Sequence, residues 1–360
     1  MTTRSRARVG LVGAGWWSGR THLPALSANP DAELVVICDP DAERAQAAAA
    51  MFDVPHSVTT VEQLLDHDVD CVLVATPHDT HHRPAAAALD AGVDVMVEKP
   101  MTLDPGQAWD LVRRARESGA RLHVGYPFPH SPHAAAVREL IARGDIGEPV
   151  MVTGLFATSV ATLYRGHVDL VAEQDTFSPR ASTYAERAHG GGQLHTQMTH
   201  AASLVLWTTG LRPREVSAYA QDGGLDVDLS DALAVSMEGG AIATLATTGS
   251  VYDHNLRLEE YRIFGSEGHV LLDTARGTLR VLRRGHEPVE HPTLSEHDAQ
   301  PSDATSAALV AAALGKGPVL VPGEIGAMTV DLLHAAQESA RTGGPMSARP
   351  AASAVVGSGG

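Results

Sequence analysis

This 360-residue chain predicts a two-domain α/β protein, a parallel-sheet domain followed by an α+β unit. Three observations point there. Between Arg8 and Tyr126 short apolar runs alternate with longer helix-forming stretches, the order of βαβ units. The first of those runs passes into a glycine-rich turn of the kind that approaches a pyrophosphate. After Tyr126 the prolines Pro127, Pro129 and Pro132 interrupt the rhythm, and short strands joined by turns take over. The divisions expected are 1–126, 127–342 and a loosely held, flexible tail over 343–360.

In the first division the strands fall at 7–15, 33–39, 70–76, 94–99 and 121–126, with a further short one at 54–58. Each is rich in Val, Ile or Leu, as a sheet covered on both faces requires. Helices fill the intervals at 42–52, 83–92 and 106–119, the last two closed by Gly92 and Gly119 as C-cap candidates. In the second division a helix ends near Gly144, and strands are expected at 150–158, 214–221, 231–237, 241–249, 260–265, 269–273 and 278–283. Gly239-Gly240 and Ser266-Glu267-Gly268 are the clearest hairpin turns. Helices return at 303–314 and 323–340.

Hydrophobic residues make up 44% of the chain and charged residues 19%, ordinary globular usage. The net charge of -16 would repel a phosphate backbone, so nucleic acid is not an expected partner. No apolar stretch reaches membrane-span length, and the opening MTTRSRARVG lacks a signal-peptide core, so no membrane partner and a cytoplasmic location are expected. Cys38 and Cys71 sit inside apolar runs, where a buried thiol is commoner than a disulfide or metal ligand. Histidine groups such as His78, His81 and His82, or His130 and His133, lack the spacing of a zinc site, and no metal is expected.

The motif that carries chemistry is GLVGAGWWSG, giving Gly13-x-Gly15-x-x-Ser18 with Ser18 in place of the usual last glycine or alanine. Asp39 closes the second strand 24 residues after Gly15, where a ribose-binding carboxylate belongs. Such a carboxylate accepts from both ribose hydroxyls and repels a 2′-phosphate, so the expected cofactor is NAD rather than NADP. Asp41 adds negative charge nearby. The plainer alternative is that Asp39 caps the following helix. Trp16 and Trp17 could wall the cofactor or equally pack in the core.

Together with His22-Leu23-Pro24-Ala25-Leu26, the segments ATPHDTHHRPAAAALDAGVDVMVEKP at 75–100 and GGGQLHTQMTH at 190–200 give a chain that resembles the glucose-fructose oxidoreductase / inositol dehydrogenase (Gfo/Idh/MocA) family. Glu98-Lys99-Pro100 is the most specific element, and the resemblance spans nearly the whole chain. It implies a doubly wound Rossmann domain and a second domain with an open, mostly antiparallel sheet that commonly joins subunits into a homodimer or homotetramer. It also implies hydride exchange between NAD(P) and a hydroxyl or keto carbon of a sugar or cyclitol. Redox-neutral glycoside cleavage with the same cofactor, and a non-catalytic NAD-binding regulator, are the rival readings.

On this resemblance Lys99 handles the substrate's hydroxyl proton. It follows a strand at the edge where open α/β sheets bind ligands, and Pro100 holds its backbone away from helix. The alternative is a surface lysine paired with Glu98. Gln193, Thr196, Gln197 and His200 share one helix face, on which the family normally presents an Asp and a His four residues apart. His200 matches the histidine, whereas Thr196 stands at the aspartate position and cannot act as a carboxylate base. Glu98, Thr76, Pro77 and His81 are expected beside the cofactor and Arg44 beside its adenine. Tyr126, Tyr184, Gln193 and His195 are candidates for contact with a polyhydroxylated small molecule, although a rotation of about 100° per residue turns His195 off the Thr196 and His200 face. The polar stretch from Tyr164 to Arg187, with Asp169, Asp175 and Arg180, is a further source of such contacts.

Overall fold

The structure, a computed structural model, describes residues 4–168 and 177–349. Asp169 and Asp175 therefore lie outside the described residues. Among the described residues two compact units emerge, the first built on 4–126, 168, 177–183 and 303–327, and the second on 127–167, 184–302 and 328–349.

The first unit runs β1 (Ala7–Val12), α1 (Leu23–Ala28), β2 (Ala32–Cys38), α2 (Ala42–Met51), β3 (His56–Val58), α3 (Val61–Leu65), β4 (Cys71–Val74), α4 (His82–Asp90), β5 (Asp94–Val97), α5 (Pro105–Ser118) and β6 (Leu122–Val124). Its six strands lie in the order β3-β2-β1-β4-β5-β6, all paired parallel. The order reverses between β1 and β4, which opens a crevice at their carboxyl ends, where ligands bind in folds of this kind. Leu11, Ile37, Leu73 and Met96 are fully buried in the sheet's core. Each such side chain contributes roughly 1.5–3 kcal/mol of burial. Asp41, Thr60 and Asp104 cap α2, α3 and α5, and Gly119 ends α5 in the left-handed region. Cys38 and Cys71 are free and buried, and burial pushes both thiols up, Cys38 to about 12.

The second unit holds α6 (Pro132–Ala142), β7 (Pro149–Ala157), α7 (Ala161–Tyr164), α8 (Ala181–Ala185, which begins in the first unit), α9 (Thr199–Thr209), β8 (Pro213–Gln221), β9 (Ser230–Met237), β10 (Ile242–Thr248), β11 (Leu258–Gly265), β12 (Gly268–Asp273), β13 (Thr278–Arg283), β14 (Val289–Glu290) and α10 (Glu296–Ala299). The sequence ends through α11 (Ala304–Ala313), α12 (Gly323–Thr342) and β15 (Met346–Ser347). The nine strands lie in the order β14-β13-β12-β11-β7-β10-β9-β8-β15. Within the described residues β7 and β10 run parallel, and the other neighbouring pairs are antiparallel.

Two expectations need correction. Residues 303–327 join the first unit, because Leu309 and Val310 of α11 are buried in the same core as Val9, Leu11 and Ile37. The segment ATSAALVAAA has no polar side to orient it, so its sequence signals burial without naming the sheet it packs on. The expected tail over 343–360 also begins with structure: Met346 and Ser347 pair with Val216 and Glu215 and extend the sheet by one strand.

Candidate functional site

At the end of β1, Gly13 adopts φ +99°, and a Cβ there would lie 2.6 Å from the Ala75 carbonyl oxygen. Only glycine lets β1 turn this close to β4. The Ser18 hydroxyl donates to the Gly13 carbonyl, closing the loop with a side chain where glycine is usual. A wide turn over Ser18–His22 follows, with the Leu23 N–H donating to the Ser18 carbonyl, before α1 begins. Asp39 is buried, and its two oxygens accept from the N–H groups of Ala14 and Asp41, each at 3.0 Å. The cap of α2 is Asp41, which accepts from the Arg44 N–H at 3.2 Å, so the capping alternative for Asp39 falls away. Arg44 also lies 3.7 Å from Asp41 through its guanidinium.

These residues fit a dinucleotide. A Cβ on Gly15 would meet nothing within 4 Å, which leaves its backbone open, and Thr76 Oγ1 is buried without a partner among the described residues. Pro77 follows it, partly exposed. Trp16 and Trp17 meet edge to face with centroids 6.0 Å apart, both partly exposed at the loop, and the Arg20 guanidinium sits over Trp16. His81 stands differently from expectation. Its ring is buried, with Nδ1 2.9 Å from the Pro100 carbonyl and Nε2 2.8 Å from the Thr76 carbonyl, so it braces the crevice wall and has no ring nitrogen left for a cofactor.

Lys99 is half-buried just beyond β5, and its peptide to Pro100 is cis. All but two of the 27 basic residues are arginine, and Lys99 is one of the two lysines. Burial pushes its ammonium below the usual range, while the neighbouring Glu98 carboxylate pulls the other way. Glu98 is no surface partner. It is buried, and its oxygens accept from His22 Nε2 at 2.8 Å, Trp17 Nε1 at 3.2 Å and the Lys99 backbone N–H at 3.0 Å. Tyr126, expected to touch substrate, is fully buried at the end of this unit's first stretch.

In the second unit, residues 190–200 do not form one regular helix. A wide turn covers Leu194–Met198 and passes into α9 at Thr199, so rotation per residue is smaller than the regular spacing assumes. Thr196 is buried, its hydroxyl donating to the Gly192 carbonyl at 2.7 Å and meeting the Tyr164 hydroxyl, which also donates to Gln193 Oε1 at 2.9 Å. Those bonds tie Thr196 into a network with Tyr164 and Gln193. His200 lies elsewhere, stacked on Phe156 at 5.8 Å and edge-on to Phe128 at 5.5 Å. His195 is buried rather than presented to solvent; burial and His334 lower its pKa against the pull of Asp228. Tyr184 is partly exposed, and its carbonyl accepts from the Gly192 N–H.

Sequence reading missed the carboxylates beneath this turn. Asp228 accepts from the Leu194 N–H at 2.6 Å, and Gly192, at φ +92°, must be glycine because a Cβ would lie 2.5 Å from Asp228 Oδ1. Asp231 is pushed up to about 9 by burial and by the charge and hydrogen bond of Asp228. In LDVDLSD Asp228 falls between two expected strands and Asp231 opens the second of them, and only the fold brings the two carboxyls together. A raised folded value means that folded Asp231 keeps its proton where the unfolded carboxyl, at about 3.9, has lost it. Stability therefore falls as pH climbs from about 4 to about 9. Asp231→Asn, which keeps a donor toward Asp228, is expected to flatten that decline and raise Tm at pH 9 by on the order of 5 °C; equal pH slopes in thermal melts of both proteins would refute the assignment. Among the described residues no three His, Cys, Asp or Glu side chains gather as metal ligands would, and no helix is long and apolar enough to cross a membrane.

Comparison with known proteins agrees with this geometry. The profile described as "Oxidoreductase family, NAD-binding Rossmann fold" (GFO/IDH/MocA) matches residues 7–126, and that family's C-terminal domain profile matches 134–271. A dTDP-3,4-didehydro-2,6-dideoxy-alpha-D-glucose 3-reductase of Saccharopolyspora spinosa is 28% identical over 78% of this chain and 81% of its own. An inositol 2-dehydrogenase of Rhizobium meliloti is 28% identical over 75% of this chain and 76% of its own. The WlbA dehydrogenase of Bordetella pertussis, solved with NADH and UDP-GlcNAcA, superposes with TM-score 0.77 at 25% identity, covering 95% of this chain and 98% of its own.

Proposed function

We propose, for a chain that belongs to the Gfo/Idh/MocA family of NAD-binding oxidoreductases, that it transfers a hydride between NAD and a secondary alcohol or keto carbon of a sugar, cyclitol or related polyol. The observation that carries the reading is Lys99, a half-buried lysine of lowered pKa at the carboxyl edge of the parallel sheet. When bound, NAD supplies the hydride acceptor. Gly13, Gly15 and Thr76 shape the crevice that holds it, and Asp39 accepts from the adenine ribose hydroxyls, which favours NAD over NADP. Lys99 as the free amine takes the proton from the substrate hydroxyl in oxidation and, as ammonium, returns it in reduction. His200, fixed between two phenylalanine rings, orients a substrate hydroxyl, and Gln193 Nε2, buried without a partner among the described residues, offers a second donor. Relatives named for a deoxysugar nucleotide and for inositol support a polyhydroxylated substrate. The test is nicotinamide absorbance with NAD or NADP and a panel of sugars, cyclitols and their keto forms. Turnover with NAD and at least one such compound is expected, and NAD binding without turnover on any of them would overturn the reading.

Assembly through the second unit's sheet belongs to the same reading. Small and apolar side chains alternate outward on its central strands, with Thr244 beside Thr153 and Ala234, and Ile242 beside Met151. A homodimer or homotetramer joined there would lose affinity on Thr244→Arg. Light scattering should show the variant as a smaller species than wild type, whereas a monomeric wild type would contradict it. Free, buried cysteines support a cytoplasmic site of action.

A further inference from the structure

We propose that Glu98 and His22 are positioning residues for Lys99, a buried carboxylate–imidazole pair that holds its backbone and keeps a full negative charge one residue from its amine. This inference rests on Lys99 as the proton-handling group. A carboxylate in an apolar interior must be met by several donors or lose its charge. Glu98 has three, each from a different purpose in the fold: the Trp17 indole N–H of the phosphate loop at 3.2 Å, His22 of the wide turn that leaves it at 2.8 Å, and the Lys99 N–H at 3.0 Å. The space for it is provided by Gly125 just after β6, where a Cβ would lie 2.8 Å from Glu98 Oε1. One carboxylate thus ties the phosphate loop and the turn that leaves it to the end of β5, with Gly125 leaving it room.

The tautomer follows from the same contacts. His22 is fully buried, its Nε2 faces Glu98, and its Nδ1 has no partner among the described residues. A proton on Nε2 lets the ring donate to the Glu98 carboxylate. Burial alone would raise the Glu98 carboxyl, but the His22 hydrogen bond and charge, with Lys99, hold it below the usual carboxylate range. The charged and titratable groups around it are His22, Lys99 and His81, and burial lowers the His81 pKa against the pull of its two carbonyl partners and of Glu98. An ionised Glu98 then opposes the burial that pulls the Lys99 ammonium down. Its removal should make Lys99 lose its proton at lower pH.

The chain's two lysines allow this to be read without turnover. Competitive acetylation of the whole protein by acetic anhydride, followed across pH by mass spectrometry, yields a midpoint for Lys99, with the exposed Lys316 as internal reference. In Glu98→Gln the Lys99 midpoint should fall by about 1 pH unit or more while Lys316 stays put. His22→Leu, which removes a donor, should move it the same way, and His22→Gln, which restores one, should return it toward wild type. The pH limb of kcat/KM that reports Lys99 should shift with the midpoint. A Lys99 midpoint unchanged in folded Glu98→Gln overturns the proposal; if that variant does not fold, equal midpoints in His22→Leu, His22→Gln and wild type overturn it. A shifted midpoint in a protein inactive toward every polyol would uphold the positioning pair and instead refute hydride transfer to polyols.

Discussion

Lys99→Met is expected to lower NAD-linked turnover by about 10³-fold, within the range that a positioned proton carrier contributes, while NAD affinity changes less than about threefold. Met keeps an unbranched stem of similar length and keeps the backbone N–H on which Glu98 depends, so the network of Glu98, His22 and Trp17 survives the change. What disappears is the amine, lowered in pKa by burial, that is proposed to carry the substrate proton. Because Glu98 keeps its three donors from Trp17, His22 and the backbone, the domain should stay folded. Steady-state kinetics alongside calorimetric NAD titration separate the two effects. A variant retaining more than a tenth of wild-type kcat would remove Lys99 from the chemistry.

Asp39→Ala should act on the other axis. The carboxylate already orders the loop through Ala14 and Asp41, and both N–H groups lose their acceptor in the variant. On the proposed reading two charge-assisted hydrogen bonds to ribose hydroxyls would go as well, each worth roughly 1.5–3 kcal/mol. NAD affinity is expected to drop by about 100-fold or more, with a smaller loss for NADP because the repulsion of a 2′-phosphate is relieved. Saturating NAD should restore much of kcat. A loss below about threefold, or equal losses for both cofactors, would mean that Asp39 serves the loop and not the ribose.

The parts of this molecule readable from sequence are those whose signals are local. Gly13 and Gly15 follow an apolar run directly, Asp39 closes the next strand, and the strands of both sheets show in short Val-, Ile- and Leu-rich runs bounded by turns. What stayed hidden depends on distance along the chain. His22 and Glu98 lie 76 positions apart, and nothing in either segment announces their bond. His81 reads as a helix start beside the cofactor, yet its ring nitrogens face two carbonyls that only the fold brings near. Thr196 was legible as a departure from the family's aspartate, but its engagement with Tyr164 and Gly192 requires both the wide turn at Leu194–Met198 and the placement of α7. Wide turns carry no residue preference that periodicity can detect, so face arithmetic based on regular helix fails there. The uniformly apolar α11 and the two-residue β15 belong to the same class, since their partners are set by packing and by an available sheet edge.

On the proposed function a hydride passes directly between a polyol carbon and NAD. This transfer is tested most directly with a substrate from the polyol panel carrying deuterium at the carbinol carbon. The reduced cofactor should gain one deuterium, and the labelled substrate should turn over more slowly under single-turnover conditions. Consumption of the polyol with no label and no reduced cofactor accumulating would contradict it, and would place the chemistry in a redox-neutral elimination instead.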